Sequence, residues 1–208
     1  MTTIETGELT QSNGSKTHYF ITHGWDPKAS LACDAQWKQA SLELLQHIIS
    51  QDYDDAKLIK VVSSVSMEDD HWQWFEKAME FHSDEYEWFH LYAEDQPQAA
   101  CVIYHPKKSV LSPGNIFYVE FVAVAPWNRK CMIRDRKFRG AGTALLRAAL
   151  RFAVKKLKLR PGFCLHSLPG AQGFYLALKM TNVPGHEKNT MLYFELPESL
   201  ATIFMEAS

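Results

Sequence analysis

Two glycines, Gly140 and Gly142, follow a run of cations at Arg136, Lys137 and Arg139. Glycine has no Cβ, so the backbone N–H groups at such positions can approach an anion closely. The residues from Thr143 onward have the apolar spacing of an amphipathic helix. Its first turn adds unpaired N–H donors and the positive end of the helix dipole. With Arg136, Lys137 and Arg139 near enough for charge-assisted contacts, the segment supplies what a pyrophosphate requires. Two better-known phosphate loops do not fit it. The pattern GxxxxGK followed by Ser or Thr is absent. A dinucleotide fingerprint needs a third glycine where Leu145 stands, a shorter loop after the strand, and an acid near position 162, which is glycine.

Other chemistries have weaker support. The nine histidines include no HExxH pattern or clustered His/Cys set, so no metal is expected. The four cysteines (Cys33, Cys101, Cys131, Cys164) form no CxxC pair, which suggests neither a zinc site nor a disulfide framework and fits a reduced, cytoplasmic protein. Cys101 and Cys164 fall in expected strands and read as core residues. No stretch approaches a membrane span of about 18 apolar residues, and the polar start from Met1 to Lys16 lacks a secretion signal.

Composition places the chain among globular proteins: 208 residues, 46% hydrophobic and 22% charged, which excludes disorder or a fibre. The formal net charge of −2 hides an asymmetry. Residues 1–104 hold 18 acids against 6 bases, and residues 105–208 hold 6 acids against 16 bases. Within 128–160 there are 12 bases and one acid, Asp135. Such a run is a solvated helix face, a nucleic-acid patch or a pocket for a small polyanion. A nucleic-acid patch lacks interleaved stacking aromatics beyond Phe138 and Phe152, and the acidic half would repel a long polyanion, so no nucleic-acid partner is expected. Arg147, Arg151, Lys155 and Lys158 lie past the glycines and read as solvated surface.

The elements that must position these residues alternate along the chain. Residues 1–17 read as a loosely ordered segment, and 18–208 as one domain. His18 to His23 is a short strand. Asp34 is the N-cap of a helix through Ser50, and Met67-Glu-Asp-Asp70 opens a helix to about Phe81. Lys57 to Val65 fits either a strand or a helix turn. Glu85 to Ala93 and Gln98 to His105 form an antiparallel pair, and Ile116 to Ala125 is a strand rich in β-branched and aromatic residues. A helix runs from Gly140–Gly142 to about Lys158, with Leu145, Leu146, Ala149, Leu150, Ala153 and Leu157 in one stripe. A strand at Phe163 to Ser167, a helix at Ala171 to Met180 and a strand at Met191 to Leu196 complete an α/β pattern around one sheet. The aromatic groups His71-Trp-Gln-Trp-Phe75 and Tyr86 to His90 read as core.

Three segments in order resemble the GNAT superfamily of N-acetyltransferases. Lys137-Phe-Arg-Gly-Ala-Gly142 resembles its phosphate motif Gln/Arg-x-x-Gly-x-Gly/Ala, with Lys at the first position. Val119-Glu-Phe-Val-Ala-Val-Ala-Pro126 resembles the strand before that motif. Ala171-Gln-Gly-Phe-Tyr-Leu-Ala-Leu-Lys-Met180 resembles its Ala-x-x-Phe-Tyr segment, with Lys179 where the family usually has Gly. The resemblance spans about 116–181; residues 1–110 match only by strand order. It implies a single GNAT-like α/β domain with a central mixed, mostly antiparallel twisted sheet and helices on both faces.

The resemblance also implies transfer of an acetyl or other short acyl group from acetyl-CoA to a primary amine, by direct attack through a tetrahedral intermediate. Val122, Ala123 and Val124 would bind the pantetheine arm through backbone hydrogen bonds left free by a splayed strand edge. Lys137, Phe138, Arg139, Gly140, Ala141, Gly142 and Thr143 would hold the pyrophosphate. Tyr175 aligns with the family's tyrosine that protonates the leaving thiolate, or else is ordinary packing. Glu120 stands where many relatives carry a strand Glu and is either the base for the amine or a structural Glu paired with an Arg. Along an extended strand it would share a face with Val122 and Val124. The acceptor is a small-molecule or peptide amine, a cationic one being favoured by the acidic half, and the chain is a monomer or homodimer. A non-catalytic acyl-CoA sensor of the same fold is the alternative.

Overall fold

The strand read most clearly from sequence is the axis of the molecule. In a computed structural model describing residues 1–207, β5 spans Asn115–Val124 and lies within a nine-stranded sheet, counted among the described residues. Before it come β1 (Thr2–Gln11), β2 (Lys16–His23), β3 (Tyr86–Ala93) and β4 (Gln96–Lys108). After it come β6 (Phe138–Arg139), β7 (Phe163–Ser167), β8 (Thr181–Asn182) and β9 (Leu192–Glu195). The strand order is β6-β1-β2-β3-β4-β5-β7-β9-β8. Among the described residues, only β5 and β7 pair in parallel. The sheet is therefore mixed and mostly antiparallel, as the sequence reading expects.

Helices cover both faces. On one lie α1 (Pro27–Ile49), α2 (Asp55–Ser63) and α3 (Trp74–Glu80), with Trp37, Trp74 and Trp88 packed on Ala100, Val102 and Ala123. On the other lies α4 (Ala141–Lys155), whose Leu145, Leu146, Ala149, Leu150 and Ala153 are buried against Cys101, Ile103, Phe117 and Val119. Each fully buried Leu in that stripe contributes about 1.5–3 kcal/mol, more than the intrinsic helix preference of any one residue. Two more helices, α5 (Gln172–Ala177) and α6 (Glu198–Glu206), complete the fold. None of the described helices is long and apolar enough to cross a membrane.

Three local expectations are corrected. The N-terminal segment is ordered: β1 pairs with β2 along its length and with β6 at Thr10–Arg139 and Gln11–Phe138. Only Leu9 of its ten residues is buried, so hydrophobic alternation is almost absent, and its two neighbours hold it in place. The first long helix begins at Pro27, with Asp26 as its N-cap. Asp34 does cap a helix, but a different one: its carboxylate accepts from the Trp74 and Phe75 N–H groups at 2.7 and 2.9 Å. The helix expected from Met67 therefore starts only at Trp74, because Glu68 and Asp69 are engaged elsewhere. Lys57 to Val65, left open by the sequence, is largely α2.

Candidate functional site

On its β4 side, β5 is paired as far as Val124. On its β7 side the pairing is confined to Phe117–Phe163 and Tyr118–Cys164. Beyond Tyr118 the two strands part, and the backbone polar groups that β5 turns toward the gap have no strand to bond. Val122, Ala123 and Val124 lie on this edge and line a cavity of about 630 Å³. That size suits a small molecule or cofactor. Gly140, Ala141, Gly142 and Thr143 line the same cavity, and Phe138 and Tyr175 are also in its wall.

The glycine segment has the anion-binding features its composition suggests. Gly140 sits at φ 86°, in the left-handed region where a Cβ is strained, and opens α4 with no side-chain cap. A Cβ on Gly142 would meet Val124 Cγ1 at 3.3 Å. The first intrahelical contact is Ala144 N–H to Gly140 O at 2.8 Å, so Ala141, Gly142 and Thr143 have no carbonyl one turn back to bond. Their N–H groups and the helix dipole are free for an anion. Of the cations expected there, Arg136 lines the cavity. The Lys137 ammonium instead pairs with Glu94 at 2.7 Å, and Arg139 is exposed outside the lining.

A polar network absent from the sequence reading holds this loop. Buried Gln98 accepts at Oε1 from Trp127 Nε1 at 2.7 Å and from Asn128 Nδ2 at 2.9 Å. Asn128 Oδ1 in turn accepts from Phe138 N–H at 3.0 Å. Arg129 lies beside it: Nε donates to Val124 O at 3.0 Å, and the guanidinium forks onto Asp69 at 2.6 and 2.9 Å. Both side chains of that pair are nearly buried. Glu68 reaches the other bank and accepts from Gly170 N–H at 2.8 Å. Residues 64–69 thus bridge the cavity from the β5 side to the start of α5.

The opposite face of the gap carries side-chain chemistry. Val102 pairs with Phe121 and Ile103 with Val119, leaving Glu120 as the extra residue of a β-bulge. The bulge reverses the alternation. Phe117 and Val119 face α4 before it, whereas Val122 and Val124 do so after it and Ala123 packs with the tryptophans. The expectation that Glu120 shares a face with Val122 and Val124 is therefore corrected. Glu120 lies outside the cavity lining, near Lys77 and Glu80 of α3, and burial pushes its carboxyl above the ordinary range. Tyr118 donates to His166 Nδ1 at 2.8 Å, and His166 Nε2–H donates to the His186 carbonyl at 2.8 Å. That chain crosses from β5 to β7 where they separate. Its members are too far apart in sequence to form a motif.

Tyr175 is buried, and burial pushes its phenol well above its usual value. It keeps its proton at neutral pH, the state a proton donor needs. The basic face of α4 is not solvated as a whole. Arg147 Nε donates to Phe204 O at 3.0 Å, Arg151 Nε to Met205 O at 2.7 Å, and Arg151 also pairs with Glu5 at 3.0 Å. These two arginines satisfy carbonyls at the end of α6. Lys155 and Lys158 are exposed.

No protein-family profile matches the sequence, and a search of curated proteins finds no relative. Solved structures do match. The GNAT domain of S. lividans PAT superposes with a TM-score of 0.53 at 12% identity, covering 92% of this chain and 96% of that one. Apo FdhC, a nucleotide-linked sugar GNAT, superposes with a TM-score of 0.50 at 11% identity, covering 95% and 93%. The chain has the GNAT fold.

Proposed function

We propose that this chain is an acyl-CoA-dependent N-acyltransferase that moves an acetyl or other short acyl group to a primary amine. One observation carries the reading: the free edge of β5 opens into a cavity that the uncapped start of α4 also lines. A strand edge suits an extended amide-containing arm, and a helix start suits a pyrophosphate. Val122, Ala123 and Val124 take the pantetheine arm. Phe138, Gly140, Ala141, Gly142 and Thr143 take the phosphates, with Arg136 and Arg139 adding positive potential and Lys137 turned to Glu94.

An alkyl amine of pKa about 10.4 is neutral in only about one molecule per few thousand at pH 7, so the acceptor must lose a proton. Glu120, acting directly or through water, accepts it; its raised carboxyl is a better base than an exposed one. The neutral nitrogen attacks the thioester carbon, and a β5 N–H facing the gap stabilises the oxyanion. Collapse expels the thiolate, which Tyr175 protonates. The acceptor is a small-molecule or peptide amine, cationic in keeping with the acidic half of the chain. The protein works as a cytoplasmic monomer or homodimer, independent of metal, nucleic acid and membrane.

A thiol-release assay with acetyl-CoA and a mixed amine library tests the activity, with amine-dependent thiol release expected. A non-catalytic acyl-CoA sensor is the second reading, favoured by the place of Glu120 outside the cavity lining. Tight acetyl-CoA binding with no thiol release from any amine would establish the sensor instead.

A further inference from the structure

Lys77 is the amine that the fold places against β5 on the face opposite the cavity. It projects from α3, and its Nζ lies 3.5 Å from the centre of the Phe121 ring and 5.3 Å from that of Trp72. A lysine this well packed normally ends on a carboxylate, yet among the described residues Nζ forms no ion pair or hydrogen bond. Phe121 adjoins Val122, the first cavity-lining residue of the free β5 edge. Carboxylates surround the amine at longer range: Glu120 from the bulge, Glu76 and Glu80 from its own helix, and Asp34 from α1. Removal from water dominates over those charges and lowers the pKa of the ammonium, enriching the neutral form.

We propose that Lys77 is a self-acetylation site, the chain's own acceptor amine. The inference rests on the acyl-CoA reading above. The lone pair of neutral Nζ attacks the acetyl carbonyl carbon of acetyl-CoA. A C–N bond forms and the C–S bond breaks. The surplus proton on nitrogen goes to Glu120, and the thiolate takes a proton from Tyr175. The products are Nε-acetyl-lysine and free coenzyme A. Acetylation removes the charge that now sits on Phe121 and takes away one of the cations near Glu120, leaving Lys188 and Lys107.

Mass spectrometry of the full chain incubated with acetyl-CoA tests this directly, alongside calorimetry of acetyl-CoA binding to the same sample. One acetyl group is expected at Lys77, faster than at exposed Lys155, Lys156 and Lys158, since a lowered pKa leaves more of the amine neutral at a given pH. The first-order rate should not change when the protein is diluted. Lys77→Arg should abolish this fast phase while acetyl-CoA affinity holds, and Tyr175→Phe should slow it. Binding of acetyl-CoA with Lys77 unmodified, or labelled no faster than the exposed lysines, overturns the self-acetylation site and leaves the acyltransferase reading intact. A rate that scales with protein concentration overturns the intramolecular step. No binding of acetyl-CoA overturns both proposals.

Discussion

The two sides of β5 solve opposite problems. Toward β4 the strand is fastened along its length, with two irregularities: the bulge at Glu120 and a register shift between Tyr104 and Lys107 of β4. Toward β7 the fastening ends after Tyr118. The fastened side stabilises, because each paired backbone group is satisfied without ligand. The open side leaves donors and acceptors for something else to satisfy. The two faces of the strand divide the chemistry as well. On the α4 face the site consists of backbone donors, two glycines and one tyrosine; on the α3 face it consists of side chains drawn from α3, β5 and β7. A scaffold can keep such an opening only if its surroundings are tied down, and the Asp69–Arg129 and Gln98–Asn128 contacts do this.

Four changes probe that division. Tyr175→Phe, on the open side, should reduce kcat by about 10²–10⁴-fold with acetyl-CoA affinity retained, read by thiol release and calorimetry. Unchanged turnover across pH would remove its role as acid. Asp69→Ala leaves the nearly buried Arg129 guanidinium without its partner and should cost about 3–5 kcal/mol in urea unfolding. A loss below about 1 kcal/mol would show that the bridge over the cavity is not held there.

His90 tests the fastened side. It is fully buried in β3 with neither ring nitrogen bonded, and burial lowers its pKa from 6.5 to about 4. Between those values the unfolded chain binds a proton that the folded chain refuses. Stability is complete above the unfolded pKa and falls by about 3 kcal/mol as pH drops through this window. His90→Phe should flatten this limb, and an unchanged slope would assign it to other groups. Gly142→Ala should have the smallest effect, a roughly tenfold loss of acetyl-CoA affinity from one weakened charge-assisted hydrogen bond. Its added Cβ meets Val124, so a wild-type affinity would mean that the helix start does not carry the phosphates.

What the sequence makes legible follows the same division. The open side is written locally: the β-branched run of β5, the glycines of α4 and the Phe174-Tyr175 pair each lie within one short segment. The ties around it are not. Gln98 and Asn128 are 30 residues apart, and Asp69 and Arg129 are 60 apart. The Glu120 bulge depends on register with β4, which no periodicity within β5 reveals. β1 was hidden for another reason, since a strand with one buried residue has almost no hydrophobic signal. Its β-branched threonines and the Asn13-Gly14 turn were the cues available.

The cationic run around residue 136 also changes meaning. Arg129, Lys137, Arg147 and Arg151 are each committed to a carboxylate or carbonyl. The positive potential left for a ligand therefore rests largely on the α4 start, Lys130 and Arg136. Calorimetric titration of the full chain with acetyl-CoA tests the central claim most directly. The open β5 edge and helix start predict saturable binding to one site per chain, weakened as salt screens the phosphates. No heat of binding at millimolar acetyl-CoA would contradict the account.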